Sequence, residues 1–274
     1  VSNQLRTILI TGSTTGHGQA LAERLAGPDT LLLLHGRDEQ RAGEVRDRVR
    51  AAGGQAEVLL ADLADLHEVD GLATAVLADF PRLDVLVNNA GIGSGPPGAP
   101  REQSADGLEL RLAVNYLAGY HLNTRLLGRL QEADGRIVNV SSIGQHPIDF
   151  ADPQLLVDYD GGRAYRQAKL AQILHTIDLA EQLTAAGSTV TVNALHPATL
   201  MPTGMVAEAL LPTMSGVDEG ATTTLALVSG AAGAGTGRFY NGLQEARADN
   251  QAYDPKAREQ LRALSAELVR SVLG

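Results

Sequence analysis

The sequence predicts a doubly wound α/β fold, with one seven-stranded parallel sheet and helices on both faces. Short apolar runs alternate along the chain with longer segments of helical periodicity. The runs are apolar at consecutive positions, as where both sheet faces are buried; Leu31, Leu32, Leu33 and Leu34 are the plainest case. The first run passes through a glycine-rich turn directly into the first helical pattern.

Residues 7–11 form the first expected strand and 18–26 the first helix. Strand 30–35 precedes helix 39–52, and strand 55–61 precedes helix 65–80. Strand 83–88 is followed by a Gly/Pro stretch at 93–100, too short to separate two cores and therefore a surface loop. Helix 104–130, strand 136–141, helix 165–186 and strands 189–195 and 237–240 complete the alternation. The tail reads as a helix from near Pro255, with Leu261, Leu264, Leu268 and Val272 on one stripe. With no internal repeat, residues 1–274 read as a single domain.

Hydrophobic residues make up 44% of the chain and aromatics 3%, so aliphatic side chains must fill the core and base-stacking platforms are not expected. A net charge of -10 repels phosphate backbones and anionic lipid, which excludes nucleic acid as a partner. The absence of Cys rules out disulfides, a thiolate nucleophile and a Cys-bound metal. The seven His form neither an HExxH helix nor another compact ligand cluster, so no metal is expected and a metal-assisted hydrolase is set aside. Residues 1–6 are polar and lead straight into a strand, leaving no room for a leader, and no apolar run nears the roughly 20 residues of a membrane span. A cytoplasmic protein without a membrane partner is the expectation.

Thr11-Gly12-Ser13-Thr14-Thr15-Gly16-His17-Gly18 joins the first strand to the first helix. Glycines there allow a sharp turn and close backbone approach to a pyrophosphate, which the free N–H groups and dipole of a helix start attract. The candidate cradle is Gly12, Thr14, Thr15, Gly16, His17 and Gly18, although such turns also merely connect elements. In a dinucleotide fold the end of the second strand faces the adenosine ribose, where an acid favours free hydroxyls and an Arg a 2′-phosphate. The chain reads His35-Gly36-Arg37-Asp38 there. Arg37 suits a phosphate and Gly36 leaves space where an acid would bind hydroxyls, which favours NADP (as NADPH) over NAD. A solvated Arg37 entering a helix, with Asp38 at the helix start, is the plainer alternative.

Tyr165 and Lys169 stand one helical turn apart on one face. Ser142 lies just beyond strand 136–141, at the sheet end where open parallel sheets gather ligands. The turn, the Asn88-Asn89-Ala90-Gly91 segment, Asn115, the 135–142 strand with its serine and the Tyr165–Lys169 pair occur in order. Together they resemble the compact branch of the short-chain dehydrogenase/reductase family, and the pattern is similar to its retinol-dehydrogenase-like bacterial members. The resemblance implies a Rossmann-type domain. It implies catalytic roles for Asn115, Ser142, Tyr165 and Lys169, and cofactor contacts from Asp62, Leu63, Asn89, Ala90, Gly91, Tyr165, Lys169, Pro197 and Thr199, with Thr203 the alternative to Thr199.

It further implies hydride transfer between a nicotinamide and a ketone, aldehyde or alcohol, and a homodimer or homotetramer. In carbonyl reduction the oxygen gains charge that a hydrogen bond, from Ser142, and a proton, from Tyr165, must meet. For the reverse reaction a phenol must be acidified by about 3 pH units, roughly 4 kcal/mol, for which Lys169 and oxidised nicotinamide are the expected cations. In the family the lysine also holds the nicotinamide ribose, and the helical asparagine supports a water relay.

Three features depart from the pattern: His17 occupies a usually aliphatic position, Ala198 replaces the glycine of a Pro-Gly turn, and 22 residues separate Ser142 from Tyr165. That longer segment is expected to wall the substrate cleft, and residues 201–211 to cover the substrate. The rival function is a catalytically silent NADP-binding sensor or scaffold of the same fold.

Overall fold

β1 (Arg6–Ile10) and β2 (Thr30–Gly36) are buried along most of their length, and their neighbours in space explain why. The computed structural model describes residues 5–274; most of the polar lead at 1–6 lies outside the described residues. The remaining strands are β3 (Gln55–Leu60), β4 (Val85–Asn88), β5 (Arg136–Val140), β6 (Thr191–His196), β7 (Phe239–Asn241) and β8 (Gln244–Glu245). They form one sheet in the order β3-β2-β1-β4-β5-β6-β7-β8. β1 through β7 pair in parallel.

α1 (Gly16–Leu25), α2 (Glu39–Ala51) and α8 (Val217–Ser229) cover one face, contributing Leu21, Val45 and Leu227 to a core with Ile8, Leu32 and Val138. α3 (Leu66–Asp79), α5 (Ala118–Gln131) and α6 (Gly161–Ala185) cover the other, bringing Leu72, Leu126 and Leu183 against Leu9, Leu33 and Ile137. The tail helix α9 (Pro255–Leu273) starts on Pro255 with Asp254 as its cap, and Leu261 joins α6 residues in a third cluster. The short α4 (Leu110–Leu112) and α7 (Gly204–Glu208) lie at the carboxyl ends of the strands. Chain order reverses between β1 and β4, which opens a crevice there.

The sheet has eight strands rather than seven. After β7 the chain turns at Gly242, φ +61°, and returns as the antiparallel β8. A two-residue hairpin with glycine first is the turn that conformation serves. The helix expected over 104–130 starts only at Leu110. Ser104 closes a loop instead: its N–H donates to Leu108 O (2.8 Å), its Oγ accepts from Leu108 N (3.3 Å), and Gly107 takes φ +77°. Between α4 and α5 runs a π-helical turn, Ala113–Leu117, with Asn115 at its centre. Residues 93–100 and 143–160 are irregular, and α6 begins four residues before Tyr165, capped by Asp160. Among the described residues, no helix is long and apolar enough to cross a membrane.

Candidate active site

The turn after β1 is built by close backbone approach. Gly12 and Gly16 take φ +65° and +53°, and a Cβ on Gly18 would stand 2.2 Å from Gly12 O. Asn89 locks the turn, its Nδ2 donating to Thr11 O (2.8 Å) and Gly12 O (3.1 Å). Thr11 Oγ1 accepts from the N–H groups of Asn89 and Ala90, both at 3.0 Å. No side chain caps α1 at Thr15, so the N–H groups at the start of that ten-residue helix face an anion position with the dipole behind them. A glycine surface ending in an uncapped helix start fits a dinucleotide pyrophosphate.

His17 does not face that position. It is buried, its Nδ1 2.7 Å from Asn89 Oδ1 and its Nε2 3.0 Å from Thr224 Oγ1. Asn89 uses its amide as donor elsewhere, so His17 Nδ1–H donates to its oxygen and the ring pins the turn to α8. Burial lowers the pKa of His17.

His35, which no motif singled out, is the second pin. Its Nδ1 accepts from Gly12 N–H (3.1 Å) and its Nε2–H donates to Ala61 O (3.1 Å), so one neutral ring joins the turn to the residue after β3. Burial drives its pKa down to about 4. Its only sequence signal is a polar residue near the end of an otherwise apolar strand.

Arg37 leaves β2 with its guanidinium exposed and 3.4 Å from Asp62 Oδ2. The space expected at Gly36 is filled from inside: a Cβ there would meet Thr14 Cγ2 at 2.4 Å. Leu63 is buried in the core.

Ser142, Tyr165 and Lys169 meet beyond β5. Lys169 Nζ donates to Val140 O (2.9 Å) and lies 5.8 Å from the Tyr165 ring centroid. Ser141 Oγ donates to Lys169 O (2.7 Å), which ties the strand end to α6. Ser142 Oγ accepts from Gly144 N–H (3.0 Å), and its side chain neighbours the Tyr165 phenol. Burial pushes the Tyr165 phenol above its ordinary value, and the neighbouring Ser142 side chain acts in the opposite direction. Lys169 is brought down to about 8 by burial. The acidified phenol expected from Lys169 is therefore not a property of the protein groups alone: burial raises the phenol and outweighs the influence of Ser142.

Asn115 holds the loop after β4, its Oδ1 accepting from Ile92 N–H (2.7 Å) and its Nδ2 donating to Ile92 O (3.0 Å). The absent Cβ of Gly91 would be 3.1 Å from Asn115 Oδ1 and 3.5 Å from Lys169 Nζ, so three separate motifs converge on one small surface.

On the opposite side, Pro197 O accepts from Thr223 Oγ1 (2.8 Å) and Thr199 Oγ1 pairs with His196 Nε2 (3.0 Å). Thr203 sets its methyl against Gly16, 3.0 Å from that residue's absent Cβ. Met205 of α7, another residue no motif marked, packs on Gly91 and Gly93. Of the two candidate threonines, Thr199 presents a hydroxyl engaged by His196 and Thr203 a methyl packed on the turn.

A family model described as short chain dehydrogenase matches residues 6–212. Retinol dehydrogenase 12 of Bos taurus is 32% identical over 280 residues, covering 96% of this chain and 86% of the relative. A crystal structure of an uncharacterised protein from Mycobacterium Paratuberculosis superposes with TM-score 0.81 at 31% identity, covering 98% of this chain and 95% of that one. A metagenomic short-chain oxidoreductase in complex with NADP superposes with TM-score 0.66 at 27% identity, covering 86% and 96%.

Proposed function

The chain belongs to the short-chain dehydrogenase family and is an NAD(P)-dependent oxidoreductase, and on that premise we propose that it interconverts a ketone or aldehyde with an alcohol, using NADP and Tyr165 as the acid/base. The observation that carries the proposal is the Ser142 hydroxyl and the Tyr165 phenol gathered beside the buried ammonium of Lys169, at the sheet end where the glycine turn also lies.

The residues divide the work by chemistry. The turn from Gly12 to Gly18 and the start of α1 would hold the pyrophosphate. Arg37 would meet the 2′-phosphate, a reading supported by its exposed guanidinium and by the NADP in the metagenomic neighbour. Lys169 and Tyr165 would hold the nicotinamide ribose, and Pro197 and Thr199 the carboxamide side. Bound NADPH supplies the hydride. Ser142 donates a hydrogen bond to the carbonyl oxygen, and Tyr165 gives that oxygen its proton. A phenol held above its ordinary value is fully protonated at neutral pH, which suits it to donate in the reducing direction. Lys169 and Asn115 line the route by which the phenol regains a proton.

The test is a panel of aldehydes and ketones incubated with NADPH carrying deuterium at the transferable position. One deuterium at the former carbonyl carbon of the product supports the proposal. Tight NADPH binding without consumption of any carbonyl would favour the silent sensor or scaffold.

A further inference from the structure

A buried arginine outside the catalytic set joins three segments at the mouth of the site. Arg111 of α4 has a side chain only 4% exposed, and each guanidinium nitrogen has its own partner. Nε donates to Gly93 O (3.1 Å), Nη1 to Tyr159 Oη (3.1 Å), and Nη2 pairs with Glu102 (2.7 Å). Tyr159 in turn donates to Glu109 Oε1 (3.1 Å), whose other oxygen accepts from Leu112 N–H (2.6 Å). Burial and the neighbouring Glu109 push the Tyr159 phenol up to about 12, so it remains a donor.

The consequence is geometric. Gly93 follows the Gly91–Ile92 segment that Asn115 holds, and Tyr159 ends the long segment leading into α6. Gly161, the first residue of α6, abuts the same loop: a Cβ there would stand 2.2 Å from Ser94 O. The planar fork therefore fixes the loop after β4 against the end of the 143–160 segment, one turn before Tyr165. An ammonium could not satisfy three divergent acceptors in this way.

We propose that Arg111 is a positioning residue that, through Gly93 and Tyr159, sets the wall of the substrate cleft against the catalytic helix. This rests on the carbonyl-reducing function proposed above. The test compares wild type, Tyr159→Phe, Arg111→Lys and the double variant by steady-state kinetics, NADPH titration and hydrogen exchange. Tyr159→Phe removes two charge-assisted bonds, one accepted from Arg111 and one donated to Glu109, and is expected to raise KM for the carbonyl about tenfold. The kcat should stay within about threefold and the NADPH Kd within about twofold, a split that general destabilisation would not produce. Amides of 93–95 and 159–163 should exchange faster together, and the double variant should be no worse than Arg111→Lys alone.

An unchanged KM in folded Tyr159→Phe, an NADPH Kd that rises with KM, or faster exchange confined to 159–163 would each overturn the proposal. If Arg111→Lys does not fold, Tyr159→Phe decides alone. If wild type turns over no carbonyl, the functional reading fails, and hydrogen exchange still decides the coupling.

Discussion

Replacing His35 with Asn tests how the phosphate turn is held. In the folded protein His35 is neutral: one ring nitrogen accepts from Gly12 N–H and the other donates to Ala61 O. A proton on Nδ1 would set two donors against each other, and burial of the ring opposes the charge as well. The folded pKa is about 4 against an ordinary 6.5. Between those values the unfolded chain binds the proton and the folded one does not, so stability rises with pH. The contribution is complete above about pH 6.5 and disappears as pH falls to about 4; at 1.36 kcal/mol per pH unit the gap amounts to about 3 kcal/mol. Asn keeps an acceptor near the Nδ1 position and does not titrate. Urea unfolding of wild type and His35→Asn from pH 4 to 7.5 isolates this contribution, because the other titrating groups cancel in the difference; they include His17, His175 and His196, lowered like His35, and Asp178, raised. The stability of wild type relative to the variant should grow by about 3 kcal/mol across that range. Parallel curves would refute the argument.

Other perturbations probe separate parts of the account. Gly18→Ala places a methyl 2.2 Å from Gly12 O and 2.4 Å from Asn89 Nδ2, so it should cost about 1–3 kcal/mol in thermal unfolding and weaken NADPH binding in a fluorescence titration. Arg37→Ala should raise the Kd for NADPH at least about tenfold while leaving that for NADH within about twofold; equal losses for both would remove Arg37 from 2′-phosphate recognition. Lys169 is buried, with a pKa near 8 against an ordinary 10.5, and its burial costs stability that is present above about pH 10.5 and lost as pH falls to about 8. Lys169→Met should therefore be up to about 3 kcal/mol more stable at pH 7 yet inactive, measurable by urea unfolding beside turnover.

The sheet was legible because parallel strands buried on both faces must be apolar at consecutive positions, and Leu31 to Leu34 carry that pattern without ambiguity. β8 was not: its two residues, Gln244 and Glu245, are exposed and have no periodicity, and only the glycine turn makes them a strand. The late start of the helix after residue 104 depends on Ser104 bonding its own loop, a competition that helical spacing does not reveal. Tyr165, Lys169 and Ser142 could be named because their chemistry demands particular residue types at set positions. The groups that brace the surrounding turn and loops could not, since His35 and Arg111 act through partners far away in the chain, and Asn89 was legible as part of a motif but not as the lock on the glycine turn. Gly36 shows the same limit from the other side: an apparent space for ligand is occupied by Thr14.

The most direct measurement pairs turnover with cofactor binding in Tyr165→Phe, which removes one hydroxyl and keeps the ring. A purified variant that binds NADPH like wild type but reduces an accepted aldehyde at least about a hundredfold more slowly is the predicted result. Comparable turnover by the two proteins would contradict the assignment of proton transfer to Tyr165.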